Sequence, residues 1–373
     1  MSGKPVRPWF RARLEEALLI TLATPLFLAQ PVGRVLDTLI NEAQRLGFSG
    51  QLVRRLLMIR AVMTLNEPVT KYVGGLGNVL EAMVNAEKLG IEPGTAVLYI
   101  LRELDDYLAR LRSDHRDLVI LMDMLTVITL AIMPMTIVLV SRALGMDPTP
   151  YLAMTYATAT PITVILAINL DPGLITIDRE LTKYLAISLA PAIPTYALTR
   201  STALAWLVLS TAFLGLSLKW YLGKVRAISE LRHTAINNIM RAAATLRLGE
   251  VRARNWLEGF VSEYARAVAV TGMGRPDVIN VAVTSLTHAV NSVIDSRRVG
   301  LMSVIVAVSI MEVILIITRL IATQVVGVSA MLQLMLPTII IGGFMSGYVL
   351  DSIVTGMYAT VPLIITYIAL TMA

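Results

Sequence analysis

Residues 332–372 read LQLMLPTIIIGGFMSGYVLDSIVTGMYATVPLIITYIALTM and contain two apolar runs separated by a short connector. The runs, 332–349 and 357–372, approach the roughly 20 residues that a helix needs to cross a bilayer. Because the connector is only a few residues long, two such helices must form a hairpin. Gly343 and Gly347 are four residues apart on one helix face, where small residues let another helix backbone approach closely. The glycines predicted to serve this packing are Gly342, Gly343, Gly347 and Gly356.

The composition and the placement of charge favour a membrane protein with polar domains. The 373-residue chain is 56% hydrophobic and 16% charged, whereas a typical soluble domain is about 25% charged. Residues 1–117 carry 15 Lys/Arg and 13 Asp/Glu, residues 219–298 carry 12 Lys/Arg and 6 Asp/Glu, and the rest of the chain has only 5 basic and 7 acidic side chains. We therefore predict two polar helical domains, 1–117 and 219–298, that alternate with two membrane domains, 118–218 and 299–373.

The predicted fold is all-α, with about seven transmembrane helices. The predicted spans are Leu118–Val140, Tyr151–Leu170, Tyr184–Leu198, Ala203–Leu218, Leu301–Ile321, Leu332–Val349 and Met357–Met372. Pro161, Pro191 and Pro194 fall inside these apolar segments, so we expect kinked or interrupted helices there. Four predicted spans separate the two polar blocks, and this even number places both blocks on the same side of the membrane.

An excess of Lys and Arg assigns that side to the cytoplasm. The block at 219–298 has a net charge of +6 and directly adjoins predicted spans, and short basic segments next to a span favour the cytoplasmic face. We therefore expect a multi-pass protein of the cytoplasmic membrane with its N-terminus in the cytoplasm.

Both polar blocks are predicted to be helical bundles. An apolar stretch at 18–32 follows several arginines, as in a signal peptide, but Glu15 and Glu16 lie at its start and no clear cleavage site follows. We predict a buried helix there instead. Further along, apolar residues at 97, 101, 104, 108 and 111 repeat at helical spacing. Trp256, Phe260 and Tyr264 are spaced by four, which is typical of a helix face in a core.

The two halves of the sequence resemble one another. Asp114-His115-Arg116 precedes the first predicted span, and Asp295-Ser296-Arg297 precedes the fifth. Each motif ends a polar helical block and is followed by a long apolar run. An internal duplication would explain this pattern.

Few motifs of catalysis or cofactor binding occur in the sequence. The chain has no cysteine, which excludes disulfides, Cys-ligated zinc and iron–sulfur clusters. His115, His233 and His288 are far apart in sequence, which argues against a His-rich metal site. Gly223-Lys224 lacks the flanking residues of a phosphate-binding loop. We predict no enzymatic activity, no cofactor and no bound metal.

Three charged residues fall inside predicted spans, namely Asp123, Glu312 and Arg319. Asp123 lies about 8 Å into its helix, near the headgroups, whereas Glu312 lies near the middle of its span, where an ionised carboxylate costs at least about 2.5 kcal/mol. Arg319 is on the same helix face as Glu312. Glu312 is either a proton or ion site or a paired or protonated group that joins helices. The first possibility supports an alternative function, a secondary transporter or permease subunit, because broken helices often line substrate sites.

Arginines recur along the start of the second polar block. They suit two interpretations, contact with anionic lipids and docking of an acidic protein surface, since the guanidinium pairs well with carboxylates. Nucleic-acid binding is not expected, because Glu250, Glu258 and Glu263 offset the charge. The candidate docking residues are Arg226, Arg232, Arg241, Arg247, Arg252 and Arg254.

The glycine-rich hairpin resembles the archaeal platform proteins of type IV pili and archaella (archaellum J type), relatives of the TadC and type II secretion F-type proteins. The resemblance rests on Gly342-Gly343, Gly347, Asp351 and Gly356, and on two helical polar blocks each followed by a membrane segment. Tyr348 stands where that family usually has a lysine.

That resemblance implies a function. Such platforms lie in the cytoplasmic membrane beneath a growing filament, and a hexameric secretion-type ATPase docks on their cytoplasmic domains. Its motion is thought to move pilin-like subunits from the membrane into the filament base, while the platform itself hydrolyses nothing. The partners implied here are therefore that ATPase and pilin-like subunits, together with membrane lipids, and we expect a homodimer.

Overall fold

Helices make up all the regular secondary structure that the computed structural model of the chain describes. The structure describes residues 8–64, 75–171, 173, 179–245, 256–271, 275–325, 328–349 and 353–372. No strand occurs within these ranges, which confirms the predicted all-α class.

The chain divides into two compact units, each built from two separate segments. The polar unit comprises Met1–Asp114 and Lys224–Ser296, and the membrane unit comprises His115–Gly223 and Arg297–Ala373. Each unit therefore combines one segment from the first half of the sequence with one from the second half. The linear order of polar and apolar blocks did not indicate this association.

The first segment of the polar unit contains four complete helices and the start of a fifth. They are α1 (Trp9–Ala29), α2 (Val32–Arg45), α3 (Gly50–Thr64), α4 (Gly75–Lys88) and α5 (Pro93–Val127). After α5 the chain forms a π-helical turn at Ile128–Ile132, in which the Met133 N–H donates to the Ile128 carbonyl five residues back. Pro134 follows and has no N–H to continue the α-helical ladder.

Eight further helices complete the described part of the chain. They are α6 (Met133–Ala143), α7 (Thr149–Leu170), α8 (Arg179–Thr199), α9 (Thr202–Thr245), α10 (Trp256–Thr271), α11 (Pro276–Val325), α12 (Val328–Tyr348) and α13 (Ile353–Met372). Three helices, α5, α9 and α11, continue without a break from one unit into the other. The predicted spans at 203–218 and 301–321 are therefore parts of much longer helices.

Several helices of the membrane unit are long and apolar enough to cross a bilayer. Five described stretches meet this condition by length and composition, namely Pro93–Ser141, Thr149–Leu170, Thr202–Thr234, Pro276–Ile321 and Ile353–Met372. The described side chains of α12 give a shorter apolar helix, Met335–Tyr348. The predicted span at 184–198 lies in α8, which is not among the five. The chain is thus a multi-pass membrane protein, while the count of seven spans and the orientation of the N-terminus stay predictions.

The prolines predicted to interrupt spans lie inside continuous helices. Pro161 is within α7, and Pro191 and Pro194 are both within α8. The helices are therefore not interrupted at these prolines, because unwinding in an apolar segment would expose backbone groups that lipid cannot satisfy, while the alternative of a kink stays a prediction. Near one of these prolines a side chain adds a further bond, since the Thr195 hydroxyl donates to the Pro191 carbonyl at 2.8 Å.

Helix α1 is the centre of the polar unit, as predicted for a buried helix. Its side chains from Leu14 to Leu28 are all buried, so it is covered on every face. Helix α10 contributes Phe260 and Tyr264 to the same core, both fully buried. The Tyr264 hydroxyl donates to the Ala282 carbonyl of α11 at 3.0 Å, which satisfies a polar group that would otherwise be costly to bury.

Two buried carboxylates of α1 satisfy the starts of neighbouring helices. Glu15 accepts a hydrogen bond from the Ser49 N–H at 2.8 Å, just before α3. Glu16 accepts one from the Leu76 N–H at 3.0 Å, in the first turn of α4. The first N–H groups of a helix have no partner within the helix, and its positive dipole end favours an anion. These two bonds therefore explain why adjacent glutamates occur in an apolar helix.

Glu16→Ala is expected to destabilise the start of α4 by about 1–3 kcal/mol, because it leaves the buried Leu76 N–H without its acceptor. Hydrogen exchange of the α4 amides in the detergent-purified chain measures this change. Glu16→Gln keeps an acceptor oxygen and should cost less. Glu92→Ala, at an exposed position of the same unit, is the control and should leave α4 unchanged. Equal exchange in Glu16→Ala and the control would contradict the capping role.

Candidate functional site

Helices α12 and α13 pack closely at the glycines predicted from the sequence. A Cβ atom added at Gly347 would lie 2.7 Å from the Thr355 carbonyl carbon and 2.8 Å from the Ala359 Cβ. At Gly356 an added Cβ would lie 2.9 Å from the Phe344 carbonyl oxygen. Backbone therefore meets backbone here, and no side chain fits between the two helices.

Gly342 and Gly343 face different neighbours. An added Cβ at Gly343 would lie 2.7 Å from the Leu363 Cδ1, within the α12–α13 pair, whereas at Gly342 it would lie 3.1 Å from the Met311 Cε of α11. The glycine-rich segment thus contacts two helices of the membrane unit. Asp351, which the sequence places in the connector, lies outside the described residues.

Gly347→Ala is expected to force α12 and α13 apart and to lower the thermal midpoint of the purified protein, at a cost of about 1–3 kcal/mol, the usual range for overpacking. Gly215→Ala is the matched control, because that glycine lies in α9 of the same unit with no atom within 4 Å of an added Cβ. The control should be neutral or slightly stabilising, since alanine favours a helix over glycine by about 1 kcal/mol. An unchanged midpoint in Gly347→Ala would show that the close contact is unimportant.

Three polar contacts join α5 to α11. Asp105 pairs with His288, Arg112 Nη1 lies 3.3 Å from Asp295 Oδ2, and the Ser303 hydroxyl donates to Asp123. The first two contacts are seven residues apart on each helix, in the same direction, so the two helices run parallel there. The third contact lies in the membrane unit, so α5 and α11 are bonded to each other in both units.

Asp123 occupies a buried position between helices. Its side chain is 7% exposed, and Ser346 of α12 is fully buried. The Asp123 Oδ1 and the Ser346 hydroxyl are both buried, and neither has a partner at good hydrogen-bond distance and angle among the described residues. The structure places this carboxyl among helices α5, α11 and α12, while its location near the headgroups stays a prediction.

Glu312 and Arg319 lie elsewhere on α11. Both are half-buried, and no ion pair or hydrogen bond links them among the described residues. Arg319 Nη1 is buried without a hydrogen-bond partner in the described part of the chain. Glu312 is nine residues beyond Ser303, or about 13 Å along the helix. The structure therefore does not bring Asp123 and Glu312 together into one acidic site.

The arginines proposed for docking are only partly described. Arg226 and Arg232 lie on exposed positions of α9, and Arg226 Nε pairs with Glu230 at 2.7 Å within that helix. Arg241 lies in α9, but its side chain is outside the described part. Arg247, Arg252 and Arg254 lie outside the described residues.

A charge cluster that the sequence did not indicate links α2 and α10 in the polar unit. Arg45 Nη1 lies 3.0 Å from Glu263 Oε2, and Arg266 Nη2 lies 3.2 Å from the same oxygen. Arg266 also lies 3.7 Å from Glu42. Burial raises the pKa of Glu42, and the nearby Glu263 carboxylate raises it further, while Arg45 opposes the shift.

The raised pKa of Glu42 predicts a pH-dependent stability. A carboxyl that favours its protonated form in the folded state contributes stability below its unfolded pKa, and this stability is lost as pH rises through the folded pKa. Glu42→Gln should therefore raise the thermal midpoint of the polar unit at pH 7 and have little effect near pH 4, as followed by protease resistance on heating, with a protease active at both pH values. Glu92→Gln, at an exposed position of the same unit, should show no such difference. A destabilising Glu42→Gln at pH 7 would contradict this account.

The described residues contain no group of three or more His, Asp or Glu side chains that could hold a metal ion. Comparisons with protein-family models, curated proteins and solved structures found no match to this chain. The likeness of residues 340–357 to archaeal platform proteins stays a prediction from the sequence.

Proposed function

We propose that this chain is an integral-membrane platform protein of an archaeal type IV filament or type II secretion-like system. In this role the polar unit receives a hexameric secretion-type ATPase on the cytoplasmic side of the cell membrane. The membrane unit passes pilin-like subunits toward the base of a filament. The chain acts as a coupling element and performs no hydrolysis itself.

The observation that carries this proposal is the pairing of α5 with α11. Both helices continue from the polar unit into the membrane unit, and polar contacts join them on both sides of the boundary. A helix changes length little under load because each turn is closed by backbone hydrogen bonds. In the proposed role, α5 and α11 are the helices through which the two units are linked.

The basic start of the second polar block suits the ATPase contact. This block has 12 Lys/Arg against 6 Asp/Glu, and its two described docking candidates, Arg226 and Arg232, are exposed. Complementary charge mainly raises the rate and the specificity of association. The proposed contact should therefore weaken as salt is added, since exposed charges are screened over about 10 Å at 0.1 M salt.

The experiment measures binding of the detergent-purified full-length chain to the secretion-type ATPase of the same cell, together with the ATPase rate. We expect binding and an altered rate for the unmodified chain. Arg226→Glu/Arg232→Glu should weaken binding about tenfold, which corresponds to about 1.4 kcal/mol. Adding reversal at the four further arginines, Arg241, Arg247, Arg252 and Arg254, should abolish it.

The matched control is Arg54→Glu/Arg55→Glu, which reverses two charges at exposed positions of α3 in the same unit. It should bind as the unmodified chain does, and all variants should elute as single species from size-exclusion chromatography. If the ATPase neither binds the unmodified chain nor changes its rate in the presence of the chain, the platform proposal is overturned. An equal loss in the α3 control would overturn the assigned docking surface and show a general charge effect.

A further inference from the structure

A groove of about 750 Å³ lies between α5 and α11 in the membrane unit. One wall runs from Arg116 to Ile128 and the other from Arg298 to Ile310. The first and last residues of each wall are twelve positions apart, or about 18 Å along the helix. That length is close to the thickness of one leaflet of the hydrocarbon core, about 15 Å.

The two ends of the groove differ in chemistry. Arg116 and Arg298 lie at the same end, one on each wall, and both are exposed. Beyond them the walls are mainly apolar, and Met124 and Met302 are 63% and 68% exposed. Arg297, which adjoins Arg298, does not line the groove, and its Nη2 donates to the Tyr221 hydroxyl at 3.3 Å. The groove thus pairs two guanidinium groups with an open apolar channel.

The carboxyl in this groove does not oppose an anion at the arginine end. Asp123 lies seven residues beyond Arg116, which separates them by about 10 Å along the helix. Its side chain is nearly buried and accepts a hydrogen bond from Ser303. An anion held by the arginines therefore sits more than a helical turn from the carboxyl.

We propose that this groove binds one anionic phospholipid, with its phosphate on Arg116 and Arg298 and its acyl chains along the apolar walls. Guanidinium groups bind phosphate oxygens through paired, charge-assisted hydrogen bonds. Basic pockets between transmembrane helices are suited to anionic headgroups. An apolar helix of another protein would fill the channel but would place no negative charge at the arginine end. This inference does not depend on the platform function.

The test compares dioleoyl-phosphatidylglycerol with dioleoyl-phosphatidylcholine, added to the detergent-purified full-length chain and followed by native mass spectrometry. We expect one phosphatidylglycerol molecule to bind at least tenfold more tightly than phosphatidylcholine. Arg116→Gln/Arg298→Gln should remove this preference. Lys183→Gln/Lys219→Gln is the matched control, because it removes two exposed positive charges from the same unit outside the groove, and it should keep the preference.

A second variant separates a lipid from a free anion. Met302→Trp fills the channel and keeps both arginines, so it should also lose the phosphatidylglycerol. Glycerol 3-phosphate, which has the charge but no acyl chain, should not compete at equal concentration. Competition by glycerol 3-phosphate would overturn the lipid assignment in favour of a phosphate site. An unchanged preference in the double arginine variant, or an equal loss in the lysine control, would overturn the groove as the site.

Discussion

The parallel contact between α5 and α11 organises both units of this protein. These helices come from different halves of the sequence, and each contributes to the polar unit and to the membrane unit. Their contacts at Asp105–His288 and Arg112–Asp295 are partly exposed, so each contributes little to the free energy of unfolding by itself. These contacts instead set the relative direction and register of the two helices, because an antiparallel or shifted pair could not form both of them.

The polar unit shows a second way of joining distant segments. Helix α1 is buried on all sides, so the first N–H groups of the helices packed against it need partners within the protein. Glu15 and Glu16 solve this problem by reaching outward from α1 to the N–H groups near α3 and α4. Glu87 of α4 does the same for α2, since it accepts from the Val32 N–H at 3.1 Å. Three carboxylates, two in the apolar helix α1 and one at an exposed position of α4, therefore bond to the N–H groups near the starts of three helices.

The sequence predicted the local features of the helices better than the contacts between residues far apart in the chain. Hydrophobic periodicity identified the buried faces of α5 and α10, and glycine spacing identified the tight α12–α13 contact, because both patterns depend on local geometry. The environment of Asp123 depends on Ser303 and Ser346, which are about 180 and 220 residues away, and no local pattern connects them. The continuity of helices through Pro161, Pro191 and Pro194 was missed for a related reason. A proline's effect on a helix depends on the surrounding solvent, and an apolar environment resists unwinding.

The α5–α11 pair contains the two motifs on which the resemblance between the two halves of the chain rests. The motifs Asp114-His115-Arg116 and Asp295-Ser296-Arg297 lie on these two helices, near the boundary between the units. If a duplication produced them, the equivalent helices of the two halves lie side by side and point the same way, as parallel repeats related by an axis along the membrane normal do. Identical ancestral halves would then have begun with identical contacts, and later divergence would account for their different surroundings. Arg297 now bonds to Tyr221, whereas Arg116 and Arg298 line the groove. The two parallel helices thus have different surroundings, and in the proposed platform role this difference would let their two sides contact different molecules.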